Sequence, residues 1–330
     1  MTTALAPTTP AWIDRRAYPF APRFAALGEG RLHYLDEGDG PPVLFVHGTP
    51  SWSFEWRHLV AGLRGSHRCV APDHLGFGLS DRPASAAYTP EAHAARLKEF
   101  VRSLGLREFT LVVHDFGGPI GLPLALDPDF TVERVVVLNS WMWSLADDPA
   151  IARASRIVGS GLGRWLYRWL NLSLRVIAPG AWGDRRKLTP AIHGQYLAPF
   201  ADRDARGRVL WALARALSES APYYDGLWRQ RERLATKEVL LAWGVKDTAF
   251  GEAALARWAT ALPAARVLRV EGAGHWPHEE EPAAVLAGVQ GFLEGPGAGR
   301  TVTERQAWKA SFAPPHRGTA AGRARCTVAG

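Results

Sequence analysis

Three short stretches of this 330-residue chain hold residues whose types and order could perform covalent chemistry. The first is FTLVVHDFGGPIGL, where an apolar run ends in His114-Asp115 and passes through Phe116-Gly117-Gly118 into a helical pattern. A strand that turns sharply into a helix lifts the residue at the turn clear of the backbone, so the Asp115 carboxylate would stand exposed as a nucleophile. Gly117 comes two residues later, where a side chain would obstruct the turn. The second stretch, EVLLAWGVKDTAFG, puts Asp247 in a polar loop after another apolar run. The third, RVEGAGHWPHEEEP, puts His275 in a Gly-flanked loop 28 residues further on. An Asp at such a turn can also be no more than a helix N-cap. Three residues of the right types, each just past a strand end and in the order nucleophile, acid, base, favour catalysis over that reading.

A carboxylate nucleophile is a weak base that attacks saturated carbon by direct displacement, leaving an alkyl ester on Asp115. Water must then cleave that ester at its own carbonyl. His275 would take the proton from the water, and Asp247 would orient the imidazole and stabilise its charged form. The loop VLFVHGTPSW follows a further apolar run and can aim the Thr49 N–H at the turn. The Phe116 N–H would be the second donor to the oxyanion of the hydrolytic step. This scheme needs no metal and no organic cofactor. It needs an electrophilic sp3 carbon bearing a leaving group, such as an alkyl halide or an epoxide, and it excludes ordinary esters, which would give an anhydride. His47 is read as holding its turn, and Asp73 and Asp81, in PDHLGFGLSDRP, as turn formers.

These residues must be positioned by a sheet. RFAAL and RLHYLDEG flank Gly28-Glu29-Gly30 as a hairpin. VLFV (43–46), RCVAP (68–72), FTLVVH (109–114), RVVVLN (134–139), EVLLAW (238–243) and RVLRV (266–270) read as strands buried on both faces, which means a parallel sheet between helices. Thr89, Pro90 and Gly105 punctuate a helix between them. The 98 residues between RVVVLN and EVLLAW show helical patterns at 160–177 and 206–217 and no convincing strand, so they predict a helical insertion over the strand ends, where such sheets bind ligands.

Composition narrows the field. Apolar residues make up 47% and charged residues 22%, enough for a full-sized core. No run approaches the ~18 apolar residues of a membrane span. The N-terminus does not read as a signal peptide. The two cysteines, Cys69 and Cys326, exclude a disulfide scaffold or a cysteine zinc site and point to the cytoplasm. The net charge is +7, but residues 295–330 carry +5 of it, so the folded part has no basic footprint for nucleic acid. That Gly-, Ala- and Arg-rich tail is expected to be disordered.

HGTPSWSFEWR, RCVAPDHLGFGLSDRP, VVHDFGGPIGL, WGVKDTAFG and AGHWPHEEEP together resemble the haloalkane dehalogenases of the α/β-hydrolase superfamily, over residues 18 to 294. The resemblance implies a mostly parallel eight-stranded sheet with helices on both faces and an inserted helical cap. It divides the chain into a disordered segment (1–17), a core (18–143 and 231–294), a cap (144–230) and the basic tail (295–330). It implies hydrolysis of haloalkanes to alcohol and halide through an ester on Asp115, resolved by His275 with Asp247, on a small apolar substrate and water. Asp247 occupies one of two placements the family uses for the acid, and the other is Asn139 here.

Two positions depart from the family. The residue after the nucleophile is usually Trp, whose indole N–H holds the departing halide, and here it is Phe116. The residue after His-Gly is usually Asn or Glu-like, and here it is Thr49, a hydroxyl of shorter reach. Losing one buried donor to a developing charge costs roughly 2–3 kcal/mol. Trp141, Trp143, Trp165, Trp169 and Trp182 are candidate replacements. An epoxide hydrolase is an alternative, with acidic hydroxyls drawn from Tyr167, Tyr196, Tyr223 and Tyr224. A β-lactone decarboxylase is another, suited to an apolar cap and a weakened halide site. A non-catalytic binding relative would need a broken triad, and all three residues are present.

Overall fold

The computed structural model describes residues 10–146 and 148–295. The tail from 296 onward and residues 1–9 lie outside that range. Eight strands form one sheet: β1 (Arg23–Leu27), β2 (Gly30–Glu37), β3 (Pro42–Val46), β4 (Arg68–Pro72), β5 (Thr110–Asp115), β6 (Arg134–Ser140), β7 (Glu238–Gly244) and β8 (Arg266–Val270). Their order across the sheet is β1-β2-β4-β3-β5-β6-β7-β8. β1 and β2 form the expected hairpin, β2 pairs antiparallel with β4, and all other pairings are parallel.

The central strands are apolar runs because both of their faces are covered. Val43, Leu44, Leu111, Val112, Val136 and Leu240 have no exposed surface. Helix α1 (Arg57–Leu63) packs against the last helix, Pro282–Leu293, and α2 (Pro90–Ser103) packs against α3 (Gly117–Leu126). α2 has the predicted punctuation: the Thr89 hydroxyl accepts from the Ala92 N–H, Pro90 opens the helix, and Gly105 takes φ +67° beyond its end.

Between β6 and β7 the described chain is helical and holds no strand. The helices are more broken than the sequence pattern suggests. After α4 (Pro149–Gly159) and α5 (Gly161–Trp165) the chain widens into π-helical turns at Leu166–Leu170 and Ser173–Ile177. Asn171 separates these turns with a left-handed φ of 52°, a conformation that a short amide side chain tolerates. Residues 206–217 likewise begin as a π-helical turn before the α-helix Trp211–Glu219.

One expectation needs correction. Residues 10–17 were expected to belong to a disordered segment, yet they pack onto the domain. Ile13 is buried, Trp12 meets Trp52 edge-on at 5.5 Å, and the Asp14 N–H donates to the Gln195 side chain at 3.2 Å. Two adjacent large apolar residues and a polar partner reaching out from the insertion supply the contacts that composition alone concealed.

Asp73 also does more than form a turn. It is fully buried and accepts hydrogen bonds from the Ser53 N–H (2.7 Å) and the Leu79 N–H (2.8 Å), with His33 Nδ1 at 2.8 Å. It thereby ties together the loops after β3 and β4. Burial pushes its carboxyl up, but His33 and the backbone donors outweigh this and hold it below the ordinary range. Asp73→Ala would strand two buried N–H groups and one imidazole. We expect a loss of about 3–5 kcal/mol in urea unfolding with an unchanged m-value, and a loss under about 1 kcal/mol would contradict this role.

Candidate active site

The site is assembled where β3, β5, β6, β7 and β8 end. β5 delivers Asp115 at φ 51°, a strained left-handed conformation, and α3 starts two residues later. The register between β5 and β6 slips between His114 and Asp115 to accommodate the turn. Gly117 is obligatory in this geometry: a Cβ there would lie 2.0 Å from the Val46 carbonyl oxygen. Gly48 is equally constrained, because a Cβ would lie 2.3 Å from Asp115 Oδ1. The loop after β3 can therefore approach the carboxylate closely, and the Thr49 N–H donates to Asp115 Oδ1 at 2.8 Å.

The other oxygen faces an imidazole. His275 Nε2 lies 3.3 Å from Asp115 Oδ2, and His275 Nδ1 lies 2.8 Å from Asp247 Oδ2. All three side chains are buried. Burial disfavours the imidazolium, but the charges of Asp247 and Asp115 and their hydrogen bonds outweigh it and hold His275 up at about 10. Burial likewise pushes the Asp247 carboxyl up. His275, the Ala249 N–H and the Asn139 amide prevail and hold it below its ordinary range.

Several supporting residues were not singled out from sequence. Asn139, which stands where a second acid could have stood, takes φ 31° and donates to Asp247 Oδ2 at 2.9 Å. Its amide oxygen accepts from the Gly244 N–H at 2.8 Å, locking the ends of β6 and β7 together. Glu280 accepts from the backbone N–H groups of Gly274 (2.8 Å) and Asp184 (2.8 Å), and the His275 N–H donates to the Ala181 carbonyl (2.9 Å). The histidine loop is thus fastened to the helical insertion. The run of acids after His275 was the available signal for Glu280. Asn139 was marked only as the family's other acid placement filled by an amide, not as a support for Asp247.

His47 holds its turn as expected. Its Nδ1 donates to the Gly48 carbonyl (2.7 Å) and its Nε2 accepts from the His74 N–H (3.0 Å), which fixes a neutral ring, consistent with burial lowering its basicity. Behind the triad lies a fully buried group of Glu55, His114 and His278, whose ligand atoms lie within 4.8 Å of one another. These residues have the composition of a metal site. His114, however, already spends Nε2 on the His275 carbonyl (2.7 Å) and faces Glu55 with Nδ1 (3.3 Å). The group therefore buttresses the backbone of His275. Burial raises the Glu55 carboxyl, but the two imidazoles outweigh this and hold it well below the ordinary range.

The structure sorts the candidate leaving-group donors. Trp165 and Trp169 are exposed at 49% and 47%. Trp143 packs with Trp228 and Trp258, and Trp182 stacks on Trp276. Trp141 remains: it lies edge-on to Phe116 at 4.8 Å and stacked on Phe250 at 4.5 Å, and its indole N–H is buried with no partner among the described residues. The tyrosines divide similarly. Tyr196 donates to Glu279 (2.6 Å), Tyr223 to the Pro119 carbonyl (2.8 Å), and Tyr167 pairs with Ser173. Tyr224 is buried, unpartnered among the described residues and edge-on to Trp141. Burial pushes its hydroxyl well above the ordinary value, helped by the charges of Glu91 and Asp115. The Thr49 hydroxyl is also buried without a partner among the described residues.

The chain matches the family model of the alpha/beta hydrolase fold over residues 41–282. It is 34% identical over 278 residues to haloalkane dehalogenase 2 of Mycobacterium bovis, covering 84% of this chain and 96% of that one. It is 33% identical over 300 residues to a cis-3-alkyl-4-alkyloxetan-2-one decarboxylase of Xanthomonas campestris, covering 84% and 97%. Among solved structures, haloalkane dehalogenase DbeA from Bradyrhizobium elkani superposes with a TM-score of 0.74 at 26% identity, covering 84% of this chain and 98% of that one. With its eight-stranded sheet and the matches to these relatives, the chain belongs to the haloalkane dehalogenase family of the α/β-hydrolase superfamily.

Proposed function

We propose that this protein hydrolyses haloalkanes to alcohol and halide, with Asp115 as nucleophile, His275 as base and Asp247 as the acid that orients it. The observation that carries the reading is a single imidazole placed between two buried carboxylates, 3.3 Å from one and 2.8 Å from the other, at the strand ends of this fold. The Thr49 N–H holds Oδ1, so Oδ2 is the oxygen left to attack. Its lone pair forms the new C–O bond as the halide leaves with the electrons of the carbon–halogen bond. The product is an alkyl ester at Asp115. Water then gives a proton to His275 Nε2 and attacks the ester carbonyl. The Thr49 and Phe116 N–H groups stabilise the oxyanion, which collapses to expel the alkoxide, and His275 returns the proton to it. Asp115 keeps one oxygen from water. Asp115→Ala is expected to abolish turnover, and His275→Phe to alkylate once and stall, with the added alkyl mass found on the Asp115 peptide. An always unmodified peptide would sink the scheme.

The ionisation of His275 gives the scheme a direction in pH. With two carboxylates beside it, the ring sits at about 10 and is charged at neutrality, unable to accept a proton. Forming the ester neutralises Asp115 and removes one of the two supports, so the ring becomes a base only after the first step. The alkylation rate should therefore stay level across neutral pH. The hydrolysis rate should rise with pH until the imidazole of the ester form has lost its proton. Asp247→Asn removes the second support and is expected to shift that limb to lower pH while cutting hydrolysis by ~10²-fold or more. Rapid-quench single turnovers would resolve the two steps, and a hydrolysis rate flat from pH 5 to 9 would refute the assignment of the base.

A second reading is favoured by a specific observation. Phe116 offers no donor to a halide, and a relative with 33% identity is named for decarboxylating alkyl-substituted oxetan-2-ones. The same aspartate could open a β-lactone by attack at its saturated ring carbon. Incubation with a 1-bromoalkane, a terminal epoxide and a cis-dialkyl β-lactone, followed by product analysis, separates the readings. Bromide release supports the first, and olefin with carbon dioxide but no bromide replaces it. On the dehalogenase reading, Phe116→Trp should tighten bromide binding by about tenfold or more in fluorescence titration.

A further inference from the structure

The described surface concentrates its large exposed apolar side chains in one place. All of them fall between Ile157 and Ile177, on α4, α5 and the two π-helical turns, and include Leu162, Trp165, Trp169, Leu170 and Val176, each 47–62% exposed. Scattered single residues of this kind are ordinary on soluble proteins, but their confinement to one segment is not. The charges of the segment are equally one-sided. Residues 149–183 contain Arg153, Arg156, Arg164, Arg168 and Arg175 and no acidic residue. Asp204, from the neighbouring turn, pairs with Arg168 at 2.7 Å, and Arg203 lies over the Trp169 ring at 4.7 Å. Helical turns that combine exposed Trp and Leu with Arg, and lack acids, have the composition of segments that lie in the headgroup region of a bilayer. There indole rings settle at the interface and guanidinium groups meet anionic lipid.

The same segment borders the site. Leu174 and Ala178 line a narrow apolar cleft together with Trp182, Pro50, Ser51 and Trp276. Pro50 follows Thr49 and Trp276 follows His275, so Leu174 of this segment packs against residues next to the two loops that hold the reacting groups. From this composition, confinement and continuity we propose that residues 157–177 form a docking surface for an anionic lipid bilayer, through which apolar substrates dissolved in the membrane reach the site. The proposal does not depend on which leaving group the enzyme expels.

The test is flotation of the full chain with vesicles of phosphatidylcholine alone and with phosphatidylglycerol added, at low and high salt. Binding is expected to the anionic vesicles, to weaken with salt, and to fall on the order of tenfold or more in R164E/R175E and in W165S/W169S. Circular dichroism and turnover of a short water-soluble haloalkane should stay at wild-type levels in both variants, which separates a failed docking surface from a failed active site. If soluble turnover is lost with the fold, the milder variant Leu162→Ser replaces them. Absence of binding to anionic vesicles, or binding unchanged in the variants, overturns the proposal. So does a concentration-dependent dimer in sedimentation that the same substitutions dissolve, because the patch would then be covered by a second copy.

Discussion

The site depends on holding two carboxylates and one imidazole together out of water. Burial alone would keep the Asp247 carboxyl from ionising and the His275 imidazole from taking a proton. Placed within 3.3 Å and 2.8 Å of the ring nitrogens, they stabilise one another, since unit charges at about 4 Å attract by roughly 4 kcal/mol at the effective dielectric of such a site. A buried pair of this kind is expensive to break from either side, so its supports must be rigid. Much of the surrounding structure serves that need. Asn139 and the Ala249 N–H fix Asp247, the Thr49 N–H fixes Asp115, and His114, Glu280 and Ala181 fix the backbone on either side of His275.

Rigidity at Asp115 is achieved with strain. A left-handed aspartate is tolerable only because the strand before it and the helix after it leave no alternative. The two glycines that let the backbone after β3 come within reach of the turn are part of the same device, since a single Cβ at either would collide with the chain or with the Asp115 carboxylate itself. The shape that exposes the carboxylate is thus paid for by close backbone packing below it.

This division explains what could be read from the sequence. The strands were legible to within a residue or so, because burial on both faces leaves uninterrupted runs such as RVVVL and EVLLAW. The elbow was legible because its glycines have no substitute. The convergence of Asp115, Asp247 and His275 was legible because each follows a strand. What escaped were contacts between distant segments with no local signature. Asn139 looked like the absence of an acid and turns out to donate to Asp247, 108 residues away. Trp12 and Ile13 looked like a loose end, because the partner that holds them, Gln195, lies in the insertion. Residues 160–177 read as regular helix, yet the pattern could not foresee that Asn171 would break it, since the left-handed turn costs an asparagine little.

The polar groups near Phe116 that have no partner among the described residues follow the same logic from the other direction. Buried polar groups are normally satisfied, and an orphan costs about 1–3 kcal/mol. Trp141 contributes such a group through its indole, Tyr224 through its phenol and Thr49 through its hydroxyl. Aromatic packing with Phe116 and Phe250 fixes the Trp141 ring and prevents its N–H from turning elsewhere for a partner. A phenylalanine beside Asp115 therefore does not leave its surroundings without unpartnered polar hydrogens. Unpartnered polar groups lie instead just after β6, where Trp141 packs against Phe116, and on the insertion, where Tyr224 packs against Trp141.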